Sequence, residues 1–220
     1  KCLYYIKRYD EAWMLMNQAL DIAIQIDNKK QIVACHKQLY YLCREFKRMM
    51  NERGDEQAST LFFRESLLHE MYFSEKPRLA ELTVRYEALR CDIMQQYYMN
   101  KDYDNVIRIA TSLDIHDDAD PNASCLVYYY KAQAYVKLEN YPMAKEAFFR
   151  EFELRKKYLG WEEEDTILAC QNLGVLHSFC NEREEALACF REAYGHEVKK
   201  NGEDSEMAQK LLQYISVVES

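Results

Sequence analysis

One segment near the end of the chain occurs twice, at a fixed distance. Residues 139–148 align with residues 181–190, and the match continues into the loop that follows each of them. A step that persists through a helix and a loop predicts a stack of similar supersecondary units, each of which buries its apolar face against the next. The matched pairs, all 42 residues apart, are Ala144 with Ala186, Phe148 with Phe190, and Gly160 with Gly202.

The composition indicates that these units consist of helices. The 220 residues include only 5 Gly and 3 Pro, so turns built from these residues are scarce, as in long helices with short connections. Residues 9–27 carry apolar side chains at a helical period. After the end of an earlier helix in residues 1–8, we predict helices near 9–27, 31–52, 55–73, 77–100, 103–113, 123–138, 141–158, 164–180, 183–200 and 204–219.

The small residue that opens the repeated helix has counterparts earlier in the chain. Ala12, Ala58 and Val106 occupy the same place in three further helices. The steps from Ala12 through to Ala186 are 46, 48, 38 and 42 residues, so helices and loops vary in length between the copies. The copies in residues 32–113 are degenerate and are identified mainly by their neighbours.

These residues resemble the tetratricopeptide repeat, a helical hairpin with small and aromatic residues at set positions. The 42-residue copies are similar to repeats of the kinesin-light-chain type. The resemblance implies an all-α fold, a right-handed superhelical array of antiparallel helix hairpins. We expect a single array over residues 1–220, a possible break near 114–122, and a fragment of a longer protein. The matching positions are Leu173, Gly174, Ala186, Phe190 and Ala193, then Ala132, Tyr135, Tyr141, Ala144 and Phe148, and in the first copy Tyr9, Ala12 and Ala19.

Charge and motifs exclude several classes of function. The net charge of -8 and the scattered basic residues disfavour a nucleic-acid surface within this chain. No apolar run is long enough to span a membrane, and no glycine-rich phosphate loop is present. The eight cysteines include no C-x-x-C pair, so we expect buried, reduced thiols and a cytoplasmic protein. The five histidines form no metal or catalytic pattern, and we predict no catalytic residue, metal or cofactor.

The resemblance also implies a binding groove, because the first helix of each hairpin faces the concave side of such arrays. Amides there pair with the backbone of a bound peptide, and aromatic rings hold its side chains. The paired and triple tyrosines suit either this lining or packing between hairpins. Asn172 matches an asparagine that holds the peptide backbone in kinesin-light-chain-like repeats. The alternative is that Asn172 is a surface asparagine that binds no ligand. The predicted groove residues are Arg44, Lys47, Asn51, Gln95, Tyr98, Tyr129, Gln133, Lys137, Gln171, Asn172 and Phe179.

Two functions follow from the resemblance. The first is a scaffold that binds a protein or peptide in its groove. The second is a ligand- or peptide-sensing regulatory domain of a larger bacterial signalling or transcription-regulatory protein, since residues 78–87 resemble segments of such regulators. A scaffold keeps its curvature when it binds, whereas a sensor changes pitch or oligomeric state. The apolar residues of the last helix allow three arrangements. They cap the array, they pack against a continuation of the chain, or they form the contact of a homodimer.

Overall fold

The computed structural model describes residues 9–74, 86–111 and 120–220, and all regular secondary structure in these residues is α-helical. Asn28, Asp55, Asp120, Asn140 and Ser205 each cap the helix that follows, through a side-chain oxygen that accepts a backbone N–H. The helices are α1 (Tyr9–Gln25), α2 (Lys29–Arg53), α3 (Glu56–Glu70), α4 (Tyr86–Met99), α5 (Tyr103–Thr111), α6 (Pro121–Lys137), α7 (Tyr141–Tyr158), α8 (Glu164–Phe179), α9 (Arg183–Asn201) and α10 (Glu206–Glu219).

The predicted helices are confirmed where the structure describes them, with ends that differ by up to three residues. Residues 1–8, and the whole part of the predicted helix 77–100 that precedes α4, lie outside the described residues, as does most of the predicted break at 114–122. One local prediction is wrong. Pro121 was expected in a loop, but it lies in the first turn of α6, where Asp120 caps the helix and the missing N–H of proline is not needed.

The chain divides into two compact units, Lys1–Asp114 and Ile115–Ser220. In the first unit, α2 packs against α3 and α4 against α5, while α1 packs on α2 and α3 on α4. In the second unit, α6 pairs with α7 and α8 with α9, while α7 packs on α8 and α9 on α10. Each unit is therefore built from helices that pack against their sequence neighbours, as helix hairpins do.

The turn inside each hairpin has the same backbone conformation. A residue with positive φ follows the first helix, and the N–H of the next residue donates to the carbonyl five residues earlier, as in a Schellman motif. All four of these N–H···O distances are 2.9 Å. The turns are Gly54–Asp55 to Met50, Lys101–Asp102 to Tyr97, Glu139–Asn140 to Tyr135, and Asn181–Glu182 to His177.

The second unit has an alanine and aromatic core. Ala144, Ala186, Phe148 and Phe190 are all buried, as the repeat pattern predicts. Gly174 explains how α8 and α9 come so close, because a Cβ atom on it would lie 2.8 Å from a ring carbon of Phe190. The last helix, α10, joins this core through buried Leu211 and partly buried side chains along the same face.

Candidate functional site

Four of the five predicted groove residues of the first unit lie in two separate hollows. Arg44, Lys47 and Asn51 line a pocket of about 450 Å³ whose walls come from α2 and α3. Gln95 lines a different cleft between α3 and α4. Tyr98 lies in neither lining, and its ring packs edge-on against Tyr103 of α5 at 5.5 Å.

The predicted residues of the second unit differ in burial and in their contacts. Tyr129 packs against Phe148 with ring centroids 6.5 Å apart, Gln133 and Asn172 are partly buried, and Lys137 is exposed. Gln171 is buried, and its amide oxygen has no hydrogen-bond partner within the described part of the chain. Phe179 is 72% exposed beside a shallow apolar hollow of about 220 Å³ that Val175, Tyr214 and Val217 also line.

The cleft between α3 and α4 has a volume of about 630 Å³, within the usual range for ligand pockets. Four side-chain amides line it, together with an apolar wall and a few charges. Each amide offers two N–H donors and one acceptor oxygen. The amides are Gln57, Gln95, Gln96 and Asn100, the apolar side chains are Leu61, Phe62 and Met99, and the charged ones are Asp55, Arg64 and Asp92.

Gln96 is the polar group of this cleft that most needs a partner. Its side-chain oxygen is buried and accepts no hydrogen bond within the described residues. An unsatisfied buried acceptor costs about 1–3 kcal/mol, so a donor supplied by a ligand would recover that free energy.

A buried hydrogen bond joins the two walls of the cleft. The Tyr97 hydroxyl of α4 donates to Glu65 of α3 at 2.6 Å, and Arg108 of α5 donates to the other carboxylate oxygen at 2.6 Å. Burial alone would raise the pKa of Glu65. The attraction of Arg108, the His69 ring 3.6 Å away and the hydrogen bond from Tyr97 outweigh burial and hold that pKa at about 2. The carboxylate therefore stays ionised and fixes three helices together.

Two histidines extend this network into α2. His36 Nδ1 and His69 Nδ1 are 2.9 Å apart, and His69 Nε2 lies 3.6 Å from Glu65. The negative carboxylate favours a proton on His69 Nε2, so His69 Nδ1 accepts from His36 Nδ1–H. Burial, and then the neighbouring His69, lower the pKa of His36 to about 2.

Sequence reasoning missed this pair, because His36 and His69 are 33 residues apart and match no local motif. Cys43 adds a thiol, since its sulfur, a Glu65 oxygen and a His69 nitrogen lie within 4.8 Å of one another. The guanidinium of Arg108 already neutralises Glu65 and would repel a metal ion at this place. The seven cysteines of the described residues are free thiols, and five of them are buried, as predicted.

The pocket between α2 and α3 has a different chemistry from the cleft. It combines Arg44, Lys47 and Arg48 with the rings of Tyr41 and Phe63. Lys47 Nζ lies 4.4 Å from the centroid of the Phe63 ring, and Arg44 lies 5.7 Å from the Tyr40 ring. This pocket is basic and aromatic, whereas the cleft presents mainly amides.

Comparison with known proteins identifies the fold. No family model and no curated protein matches the sequence. The solved structure of BtubC (BKLC) from P. vanneervenii is similar over 96% of this chain and 82% of that chain, with a TM-score of 0.56 and 13% sequence identity. This likeness shows a tetratricopeptide-like helical-repeat fold, as the repeat pattern predicts.

No helix in the parts of the chain that the structure describes is long and apolar enough to cross a membrane.

Proposed function

We propose that this protein is a helical-repeat scaffold that holds an extended segment of another polypeptide in the cleft between α3 and α4. The supporting observation is the buried, unpartnered oxygen of Gln96 in a cleft that three other side-chain amides also line. A peptide backbone presents alternating N–H donors and C=O acceptors, which side-chain amides match without regard to sequence.

The remaining lining of the cleft suits the side chains of such a segment. Leu61, Phe62 and Met99 give an apolar wall, and Met99 is 74% exposed. Methionine adapts to ligands of different shape. Hydrogen bonds to the backbone of the segment therefore supply affinity. Contacts with its apolar side chains supply a broad selectivity for residue type.

The connection between the walls favours a scaffold over a sensor. Any widening of the cleft would stretch the 2.6 Å hydrogen bond from Tyr97 to Glu65, which is buried and reinforced by Arg108. Breaking a buried charged network of this kind costs several kcal/mol. We infer that the cleft accepts its ligand with little change in helix packing.

The second unit would belong to the same scaffold. Its 42-residue step favours repeats of the kinesin-light-chain type, and partly buried Asn172 on α8 would contact a peptide backbone there. We therefore propose repeats of the kinesin-light-chain type in this unit and a protein as the binding partner. The proposal assigns no catalytic role to any residue of the chain.

In the first step of the test, peptides that bind the purified protein are selected from a displayed library of random sequences. Selected peptides are then titrated against the wild type, Gln96→Leu and a control, Gln38→Leu, which changes an exposed glutamine on α2 outside the cleft. We expect Gln96→Leu to weaken binding by about tenfold, since a hydrogen bond to a buried group is lost. We expect the control to leave the affinity unchanged.

Stability measurements separate binding from folding. Gln96→Leu removes an unsatisfied acceptor, so the free energy of unfolding should stay level or rise. A scaffold should also keep its amide hydrogen exchange in α2 and α5 when peptide binds, whereas a sensor should not. Selected peptides that bind Gln96→Leu as tightly as the wild type would refute the cleft as the site.

A further inference from the structure

The pocket between α2 and α3 is lined by one stripe of α2. Tyr41, Arg44 and Arg48 follow one another at steps of three and four residues, and Lys47 and Asn51 continue the stripe. Residues three and four apart on a helix are neighbours on its surface, so their side chains converge on the same hollow. Phe63 of α3 forms the facing part of the lining.

The cations of this pocket differ in how their charges are balanced. Arg48 contacts two carboxylates, those of Glu45 at 3.1 Å and Glu52 at 2.5 Å. Arg44 and Lys47 have no carboxylate partner among the described residues and contact aromatic side chains instead. Two positive charges therefore remain without a counterion in a hollow that has room for a ligand.

Charge and shape together define the chemistry of the ligand. Three cations and the single carboxylate of Glu45 give the lining a net charge of +2, on a chain whose net charge is -8. We propose that this pocket binds a phosphate monoester whose organic part is aromatic. The phosphate carries about two negative charges near neutral pH, which Arg44 and Lys47 balance. The rings of Tyr41 and Phe63 contact the organic part.

This site is independent of the proposed peptide cleft, because the two linings share no residue. The phosphate ester has two sources, a phosphorylated side chain of a protein and a free small molecule. The pocket volume of about 450 Å³ admits either one.

The experiment titrates the full chain with phenyl phosphate at constant ionic strength and follows binding by calorimetry. Saturable binding is expected in the wild type. Arg44→Gln and Lys47→Gln should each weaken it by about tenfold, because each removes a charge-assisted hydrogen bond. Lys37→Gln is the matched control, and it should change the affinity by less than about twofold because Lys37 is exposed on α2 and lies outside the pocket lining.

A second comparison tests the aromatic part. Tyr41→Ala should weaken the binding of phenyl phosphate and leave that of inorganic phosphate unchanged. A phosphotyrosine peptide that binds as well as phenyl phosphate identifies a protein side chain as the source, and a peptide that is excluded identifies a small molecule. Absence of saturation, or equal losses in all three cation variants, overturns the proposal. Circular dichroism of each variant excludes unfolding as the cause of a loss.

Discussion

The two units bury different chemistry in the same hairpin architecture. In the second unit the core consists of alanine, leucine and aromatic side chains, with Phe190 fitted against Gly174. In the first unit a charged network crosses α2, α3, α4 and α5 through His36, His69, Glu65 and Arg108. Buried Arg90 adds two hydrogen bonds to the carbonyls of Ile109 and Ala110.

This difference separates two ways to hold a hairpin array together. Small and aromatic residues pack by shape, which leaves a repeated pattern in the sequence. A buried ion network depends on unique partners, and losing one partner exposes the other to a large desolvation penalty. The first unit should therefore be more sensitive to single polar substitutions, and the two units should respond differently to pH.

The largest expected effect is that of Arg108→Met. It leaves the Glu65 carboxylate buried with only Tyr97 as a close donor, which should lower the free energy of unfolding of the first unit by about 3–5 kcal/mol. Urea unfolding followed by Trp13 fluorescence in a Trp161→Phe background measures this, since the chain has one tryptophan in each unit.

Arg155→Met is the matched control in the second unit. It removes the partner of buried Glu151, whose pKa burial already raises to about 7, so that carboxyl takes up a proton at small cost. The loss, measured with Trp161 in a Trp13→Phe background, should be smaller. Equal losses in the two units would contradict the comparison.

The second prediction is that acidification from about pH 7 to pH 5 shifts the two stabilities in opposite directions. The pKa of His36 is about 2 in the folded chain, below its ordinary 6.5, so stability falls as the unfolded chain takes up protons below pH 6.5. The pKa of Glu151 is about 7, above its ordinary 4.5, so the stability that it contributes is lost as pH rises from 4.5 to 7. Each change should be about 2 kcal/mol over this range.

The measurement is urea unfolding at both pH values with the same two single-tryptophan variants. His36→Gln should remove part of the acid sensitivity of the first unit and leave the second unit unchanged. The remainder belongs to His69, because burial lowers its pKa as well. A parallel fall of both stabilities on acidification would show that the buried groups do not control the difference.

A third, smaller effect is expected at the close approach of α8 and α9. Gly174→Ala adds a Cβ atom 2.8 Å from the Phe190 ring. Overpacking should exceed the gain in helix propensity and destabilise the second unit by about 1–2 kcal/mol. Thermal unfolding measures the loss, and adding Phe190→Leu should restore part of it. Stabilisation by Gly174→Ala alone would show that the ring moves freely.

The smallest effects concern the hairpin turn that both units share. Glu139→Gly places glycine at a φ of 57° and should stabilise the second unit by about 0.5–1 kcal/mol, while Gly54→Ala at a φ of 76° should destabilise the first by a similar amount. Chemical unfolding of the two variants measures both changes in the free energy of unfolding. Effects of the same sign would show that the turn is not held in the left-handed conformation in both units.

Most of the fold was predictable because it is encoded locally. Helical periodicity and the 42-residue step located the helices, and the capping side chain of Asp120 explains why α6 begins at Pro121 and not at the predicted residue 123. The packing of Ala144 and Phe148 followed from the repeat. The degenerate first unit was recognised less well, because its repeats share backbone conformation rather than residue type.

The candidate sites were only partly predictable. Arg44, Lys47 and Asn51 were grouped from the resemblance to helical-repeat arrays, and in the structure they line one pocket. The cleft of Gln96 depends on the gap between α3 and α4, which no local pattern specifies. The pairing of His36 with His69 joins distant positions, and the spacing of Glu65 and His69 by four residues was its one local sign.

The common hairpin turn has a consequence for the engineering of this chain. The four hairpin joints, and the joint between α1 and α2 at Asp27, share one backbone geometry although five different residue types occupy the left-handed position. We therefore expect that one of these turns can replace another. The turn around Gly54 can be spliced between α6 and α7, or between α8 and α9, without resetting the angle at which two helices leave the loop. Chimeric arrays can be assembled at the four hairpin joints from hairpins of either unit.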